Sequence, residues 1–545
     1  MSDRKYRRIL FCFAVLIFVT NIFLAFRPPE QLVVRPYQED SFYLFNAAHH
    51  LASGQGLSVD GIKLTNGIQP LIVFLYVPFF WLAGGDKWLA VRLTFLLFGL
   101  LNVASMYLMA SIVRHLARVK HGEPVKPENI ITQSSLVAAG LWAGVLQYVQ
   151  HNSNGLETGL YAFLILLGIW YAASRNLFVL EAKPQTAYMI YGVILGLGIL
   201  ARIDGTMIVA SAMLFAFLYT RRDPKRALGS ALTIGVFAGI VSAPWWIFNF
   251  VTFGSLMPIS GQSESIAGLL AVNLIAAPQI LGDIISTLFS TPFNEYPWWM
   301  SLGWFGLNLG IMTAVAMQTH VIKTVRARYD LRAIAPVLLA GACMFVYYVF
   351  FFSAPHFMSR YFHPIRIAWL LLVSLAIPDL WSFGKLAIRR ASKWKRSITY
   401  LLFSSVLLGA IVFNLTRYTK AFTIEKSGQA YWWGVWANQH KDGAVGMTSS
   451  GAAGFTAANV VNLDGKVNVD ALRARQNHQL TGYIVNAGMR YVADGWEIDS
   501  AIIAEAKPLG AHFVVIDTVA GSIVIKRTDT AATTEKNNLL WRPLE

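Results

Sequence analysis

The feature that most constrains this chain is a train of apolar runs, most of them close to the length a helix needs to cross a bilayer. An α-helix rises 1.5 Å per residue, so about 20 apolar residues span a hydrocarbon core of roughly 30 Å. Runs of this kind lie at about 9–26, 88–113, 134–151, 157–174, 188–201, 205–220, 228–252, 301–318, 333–353, 365–381 and 398–415. With 55% of its 545 residues hydrophobic, 14% charged and a mean hydropathy of +0.50, the chain is not a soluble globular protein. The first run follows Arg4, Lys5, Arg7 and Arg8 and ends at Phe26-Arg27-Pro28-Pro29 without a small-residue cleavage site, which predicts a retained signal anchor.

A twelfth apolar stretch, Pro70 to Gly84, contains Pro78 and is short for a crossing. Charge decides its role. If it does not cross, the N-terminus and the loops 114–128, 175–187, 221–226, 319–332 and 382–396 share one side. They hold about 24 Lys and Arg, against about 8 in the opposite loops. If it does cross, the basic stretch Arg221 to Arg226 is thrown to the wrong side. The sequence therefore predicts about eleven crossings plus a re-entrant or interfacial segment at 70–84. The N-terminus is cytoplasmic and the C-terminus extracytoplasmic in this arrangement. The net charge of +16 becomes a topological excess and not a nucleic-acid surface, which needs its basic residues on a solvated domain. Cys12 and Cys343 lie inside apolar runs, which excludes a disulfide-stapled fold and a Cys-based zinc site.

With this topology the polar residues at helix ends collect on the outer side. The first outer loop, 27–69, carries Gln38-Glu39-Asp40-Ser41, a helical stretch Phe42 to Ser53, Gly54-Gln55-Gly56 and Thr65-Asn66-Gly67-Ile68-Gln69-Pro70. Asn152-Ser153-Asn154-Gly155-Leu156-Glu157-Thr158 follows, then Ala201-Arg202-Ile203-Asp204-Gly205. A long loop opens at Phe253-Gly254 with Pro258, and the last outer turn reads Ser359-Arg360-Tyr361-Phe362-His363-Pro364. Ionisable side chains at membrane depth are costly and are paired, wet or functional. Each has an ordinary reading as well. Arg202 and Asp204 suit pairing with each other, and Asn66, Gln69, Asn154 and Glu157 suit caps and turns. His49-His50 completes no metal-ligand spacing, and no phosphate-binding glycine loop of either common type occurs.

An acidic pair after the first membrane helix, an amphipathic helix, a G-x-G turn and a T-N-G-x-Q-P-L step into the membrane resemble the GT-C glycosyltransferases. That superfamily includes the protein O-mannosyltransferases and the aminoarabinose transferases of lipid A. The motifs at 154–158, 201–205, 253–258 and 360–364 are similar to patterns in its bacterial members, and the match spans residues 1 to about 420. The resemblance implies transfer of a sugar from a polyprenyl-phosphate carrier to a lipid, polysaccharide or protein acceptor at the outer membrane face, with inversion. It assigns the catalytic base to the first acid of the loop, Glu39 here where Asp is more frequent, with Asp40 as orienting partner or second contact to the acceptor. A lipid phosphate is already a good leaving group, so the chemistry needs a base and cations for the departing phosphate. Arg202 and Arg360 are the expected phosphate partners, since guanidinium grips phosphate bidentately. Asn66, Gln69, Asn154, Glu157, Asp204, Tyr361 and His363 are expected around sugar and acceptor. No cofactor is required; a divalent metal serves some GT-C enzymes, but nothing in these residues calls for one.

From about Ala421 the apolar runs shorten to Ala444–Thr448, Val460–Leu463, Tyr491–Ala493, Phe513–Ile516 and Ile523–Ile525, with helical stretches between them. The expected organisation is an all-α polytopic membrane domain over 1–420 and a small extracytoplasmic α/β domain over 421–545. Asn462-Leu463-Asp464-Gly465 is expected to be a strand-ending turn. A transporter or flippase would predict internal repeats and ionisable residues near mid-membrane. A non-catalytic scaffold of envelope assembly would tolerate loss of Glu39 and Asp40.

Overall fold

The structure is a computed structural model that describes residues 2–117, 128–145, 151–179, 183–220, 223–264, 319–352, 358–390, 429–493, 500–519 and 522–529, with isolated positions between 273 and 284 and between 394 and 416. Apart from those positions, the apolar runs 301–318 and 398–415 lie outside the described residues, so the expected eleven crossings are not a count the structure supplies.

The chain is mostly helical. Among the described residues five helices are long and apolar enough to cross a membrane: α1 (Asp3–Ala25), α4 (Lys87–Leu116), α6 (Thr158–Arg175), α9 (Pro224–Phe253), and Ala335–Phe351 (α10) with the 3-10 turn before it. Between them run α5 (Glu128–Gly144), α7 (Gln185–Ala201) and α8 (Gly205–Thr220), and α11 (His363–Arg390) follows. Local chemistry sets several boundaries. Asp86 caps α4 by accepting the Leu89 N–H at 2.9 Å, and Asp223 caps α9, with Pro224 at its first position. Gly254, at φ +69°, closes α9 in the left-handed region.

Contacts sort the helix ends into two groups. At one end Tyr6 meets Ser135 at 2.7 Å, Leu116 O accepts the Asp330 N–H at 2.7 Å, and Arg328 pairs with Asp379. At the other end lie the C-terminus of α1, the residues around 38–69, 152–158 and 201–205, the short helix Ile259–Glu264 and the turn before α11. Helix α2 (Ser41–Ala52) and helix α3 (Pro70–Leu82) belong to this second end. The 13 residues of α3 reach about 20 Å, short of a hydrocarbon core. Both its flanks touch the same C-terminal unit: Gly67 lies against the Lys466 carbonyl, while Phe80 and Lys87 contact Phe455. The chain thus enters and leaves α3 at one end of the bundle.

That unit, residues 429–529, is a five-stranded sheet with short helices. The strands are β1 (Val445–Met447), β2 (Val460–Asn462), β3 (Tyr491–Ala493), β4 (Phe513–Val519) and β5 (Ser522–Arg527) in the order β2-β1-β3-β5-β4, all in the five places the sequence pattern predicts. β1 pairs in parallel with β2 and β3, and β5 runs antiparallel to β3 and β4. Its seat on the bundle is apolar: Phe455 packs against Phe42, Phe45 and Trp88 at centroid distances of 5.4, 6.3 and 5.2 Å. Helix α2 is therefore sandwiched, with every residue from Ser41 to Ala48 buried.

Candidate active site

The acidic loop is built before the site is. Tyr37 is fully buried and its hydroxyl donates to Val91 O at 2.9 Å, which pins residue 37 to α4. Ser41 Oγ donates to Gln38 O at 2.6 Å, and the Gln38 N–H donates to Asn154 O at 3.2 Å. Gly155, at φ +77°, has no room for a side chain: a Cβ there would meet Tyr37 at 2.6 Å and Ser41 at 2.7 Å. The Asn154-Gly155 turn is thus the backing on which residues 38–41 rest. Asn154 itself closes that turn, accepting the Leu156 N–H at 3.0 Å, and does not reach the cavity wall.

A cavity of about 170 Å³ opens beside this loop. Asp40, Tyr43, Gln69, Glu157, Arg202, Glu264, Tyr348, Arg360, Tyr361 and Lys466 line it with apolar residues of α7, α9 and α10. Of the residues expected at the site, Asp40, Gln69, Glu157, Arg202, Arg360 and Tyr361 come together here. Asp204 stands behind Arg202. Asn66 is buried and accepts the Ile259 N–H at 3.0 Å, which fixes the helix that carries Glu264. His363 is buried against Asn152, with 3.2 Å between Nε2 and Oδ1.

The two acids of the loop point apart. Glu39 is not on the cavity wall; its Oε1 accepts the Gly451 N–H and, at 3.3 Å, the Ala452 N–H, two of the free amides that open helix Gly451–Thr456. Burial first, then the charges of Asp40 and Asp464, push its carboxyl up to about 8, against the pull of Lys466 and the Gly451 amide. A carboxyl engaged by two amides of another layer is a clasp, and Glu39, the base that the resemblance implies, is turned from the cavity toward the C-terminal unit. Asp40 lines the cavity, with Arg360 Nη2 at 3.5 Å from one oxygen and Lys466 Nζ at 3.9 Å from the other.

Arg202 is already occupied. Its Nη1 donates to Glu157 at 2.8 Å, its Nη2 to Asp204 at 2.7 Å, and its Nε to both Asp204 oxygens at 3.2 Å. Tyr348 completes the network, donating to Asp204 at 2.8 Å. Two carboxyl groups thus share one guanidinium, and Arg202, an expected phosphate partner, has its Nε, Nη1 and Nη2 already donating within the protein. Its stack on Tyr361, 4.8 Å to the centroid, braces the same wall.

Tyr43, Glu264, Tyr348 and Lys466 line the cavity without having been expected from the sequence. Lys466 sits just past the Asn462-Leu463-Asp464-Gly465 turn. That segment is a strand-ending turn as expected, with the Gly465 N–H donating to Asn462 Oδ1 at 3.0 Å and φ +81° at Gly465, and it also delivers the ammonium to the cavity. Burial alone would drive the Lys466 ammonium down, but Asp40, Asp464 and Glu264 hold it well above the usual lysine range. A lysine directly after an Asp-Gly turn was the available signal; nothing in the apolar helix α10 distinguished Tyr348. No group of three or more His, Cys, Asp or Glu suited to a metal ion occurs among the described residues.

A helical membrane bundle with a half-buried acidic first loop, a short α3 entered and left at one end and an α/β unit seated over that same end defines the class: the chain has the GT-C fold. Solved structures of that fold match it along almost its whole length. The Archaeoglobus fulgidus oligosaccharyltransferase in its apo form aligns at TM-score 0.52 and 13% identity, covering 97% of this chain and 75% of that one. The same enzyme tethered with an acceptor peptide aligns at 0.50 and 12%, covering 97% and 74%. ArnT from Cupriavidus metallidurans bound to undecaprenyl phosphate aligns at 0.52 and 12%, covering 97% and 99%. No family model and no curated protein matches the sequence.

Proposed function

We propose that the protein is an integral-membrane glycosyltransferase that moves a sugar from a polyprenyl-phosphate carrier to an envelope acceptor, with inversion. The reaction takes place on the extracytoplasmic face of the cytoplasmic membrane, the N-terminus is cytoplasmic and the 421–545 domain lies outside. The observation that carries this reading is the Asp40 carboxylate on the wall of a GT-C cavity, with a guanidinium 3.5 Å away. In the reaction the acceptor hydroxyl oxygen forms a bond to the sugar's anomeric carbon. The bond from that carbon to the phosphate oxygen breaks, the electron pair leaves with the polyprenyl phosphate, and the hydroxyl proton passes to Asp40. Asp40 takes the role of base in place of Glu39. Arg360 is the guanidinium for the phosphate.

Arg202 orders Glu157 and Asp204, and Glu157, Gln69 and Tyr361 face the sugar or acceptor from the wall. Asn66, Asn154 and His363 act one layer behind, on the backbone and side chains that carry these groups. The undecaprenyl phosphate in the Cupriavidus structure and the acceptor peptide in the Archaeoglobus structure support a lipid-phosphate donor and an acceptor on this fold. Mass spectrometry of envelope glycans tests the reading. Deletion of the gene should remove a sugar from a glycan, wild-type protein should restore it, and stably expressed Asp40→Asn should not. Unchanged glycans on deletion, or full restoration by Asp40→Asn, reject it.

A further inference from the structure

A second cavity, of about 240 Å³, opens where the first outer loop meets the C-terminal unit. The loop side is the tip of a tight hairpin. Ser58 and Leu64 form an antiparallel bridge, and Asp60 Oδ1 accepts the Ser58 hydroxyl at 2.9 Å and the Ile62 and Lys63 N–H groups at 2.8 and 2.9 Å. The other side is set by Asn468, which caps helix Val469–Gln476 through Oδ1 and donates Nδ2 to the Tyr483 hydroxyl and to Asn462 O, both at 2.9 Å. An ion pair between Lys63 and Asp470 ties the two sides together. These walls also present groups with bonding capacity left over. Among the described residues nothing donates to Asp60 Oδ2, nothing accepts the Tyr483 proton and nothing engages the Asn486 amide. Ile62, Val461 and Met489 supply apolar surface beside them.

The same two chain segments border both cavities. Gly67, Gln69 and Lys466 line the cavity at Asp40, while Asp60, Lys63, Asn468 and Asp470 line this one. Between them the segments touch: a Cβ on Gly67 would lie 1.8 Å from the Lys466 carbonyl oxygen. The four residues of chain from Lys466 to Asp470 span at most about 14 Å, so the two cavities are neighbours along one seam.

Apolar surface with a few unengaged polar groups is the make-up of a small-ligand site. The charges narrow the class. Asp60 and Asp470 outnumber Lys63, which disfavours a phosphate or an anionic headgroup. An extended peptide would join the edge strand β2, but β2 has three residues and its Asn462 carbonyl already accepts from Asn468. A sugar ring matches both kinds of surface. Its C–H face can cover Val461 and Met489, while its hydroxyls donate to Asp60 Oδ2 and accept from Tyr483 and Asn486. We propose that this cavity is a subsite for an uncharged sugar unit of the acceptor, which makes the acceptor a glycan that runs along the seam with its end at Asp40. This rests on the glycosyltransferase reading above and names its acceptor class.

The test uses oligosaccharides released by mild acid from the envelope of a strain lacking the gene, labelled at the reducing end and titrated by fluorescence polarisation against the full-length protein in nanodiscs. Asp60→Asn, Tyr483→Phe and Asn486→Ala should each bind them about three- to tenfold more weakly than wild type, the worth of one hydrogen bond. Affinity for undecaprenyl phosphate should not change in any of the three. Asp60→Asn retains the oxygen that holds the hairpin tip and Asn486 is exposed, so both variants should keep the protease resistance of residues 429–529. Wild-type affinity for the oligosaccharides in both of these variants overturns the subsite. Equal weakening of undecaprenyl phosphate binding overturns it as well, since that reports a general loss of structure and not a lost sugar contact. Wild-type protein that binds undecaprenyl phosphate but none of the oligosaccharides rejects the glycan acceptor and leaves the glycosyltransferase reading standing. Wild-type protein that binds the oligosaccharides, with the expected losses in the variants, but not undecaprenyl phosphate supports the subsite and removes the lipid-phosphate donor.

Discussion

Arg360 Nη2 and Asp40 Oδ2 stand 3.5 Å apart across 320 residues of sequence, while Glu39, the neighbour of Asp40, is turned to the amides of Gly451 and Ala452. Adjacent acids thus have separate duties, one toward the cavity and one toward the C-terminal unit. Removing a positioned general base costs about 10²–10⁴-fold in rate. Asp40→Asn is expected to lose transfer by that factor. Glu39→Gln, whose amide oxygen still accepts the two N–H groups, is expected to stay within about tenfold of wild type. Initial rates of sugar transfer by the purified variants check the pair, and the reverse ranking would return the base to Glu39.

The docking of the C-terminal unit should weaken as pH rises. Burial is the first cause that lifts Glu39 from the ordinary 4.5 to about 8, and Asp464 from 3.8 to about 6. Both groups bind their protons more tightly in the folded protein than in the unfolded chain. Their contribution is therefore complete below the unfolded values of about 4 and is lost as pH climbs through about 6 and then about 8. Protease resistance of residues 429–529, followed from pH 5 to pH 9, should fall across that window. Glu39→Gln should flatten the upper part of the fall, and equal slopes in the two proteins would contradict this.

Gly67 and Gly155 are sites of close approach and should tolerate no side chain. A methyl on Gly67 would lie 1.8 Å from a backbone oxygen of the C-terminal unit, and the backbone cannot step aside as a side chain can. Gly67→Ala should lower transfer and expose 429–529 to protease while the bundle keeps its thermal midpoint. Gly155→Ala combines φ +77° with a 2.6 Å contact to Tyr37, so it should destabilise the bundle by about 1–3 kcal/mol, read as a lower midpoint in detergent.

What the sequence made legible follows from which interactions are local. The apolar runs, the helix after the acidic pair and the five short strands all rest on periodicity or on neighbours a few residues apart. The clustering of motifs was legible as well, because Asp40, Gln69, Glu157, Arg202, Arg360 and Tyr361 share one cavity. Which way each side chain faces was not. Glu39 and Asp40 are adjacent in the chain, and only the amides of residues 451 and 452 draw one of them away. For Arg202 the sequence offers Asp204 as a partner, while Glu157 and Tyr348, the one 45 and the other 146 residues distant, are brought to it only by the fold. Lys466 belongs to a different layer and enters the site only because the unit that carries it docks.

The Arg202 network gives the sharpest test of charge balance. The side chains of Arg202, Glu157 and Asp204 are 8%, 3% and 4% exposed, so each is paired in a largely dry setting. Removing one partner of a buried pair leaves an uncompensated charge and costs about 3–5 kcal/mol, and here the loss of one guanidinium strands two carboxylates. Arg202→Met should therefore lower the thermal midpoint sharply. Glu157→Gln alone should do little harm, because it leaves Arg202 paired with Asp204. In the double variant Arg202→Met/Glu157→Gln only Asp204 is stranded, and Tyr348 still donates to it at 2.8 Å. Part of the stability lost in Arg202→Met should return, as a coupling of about 1–3 kcal/mol in a double-mutant cycle. Additive effects would mean that Arg202 and Glu157 do not share one network. Transfer activity should stay low in both Arg202 variants if the role of Arg202 is to order the wall that Glu157 and Tyr361 present to the substrate.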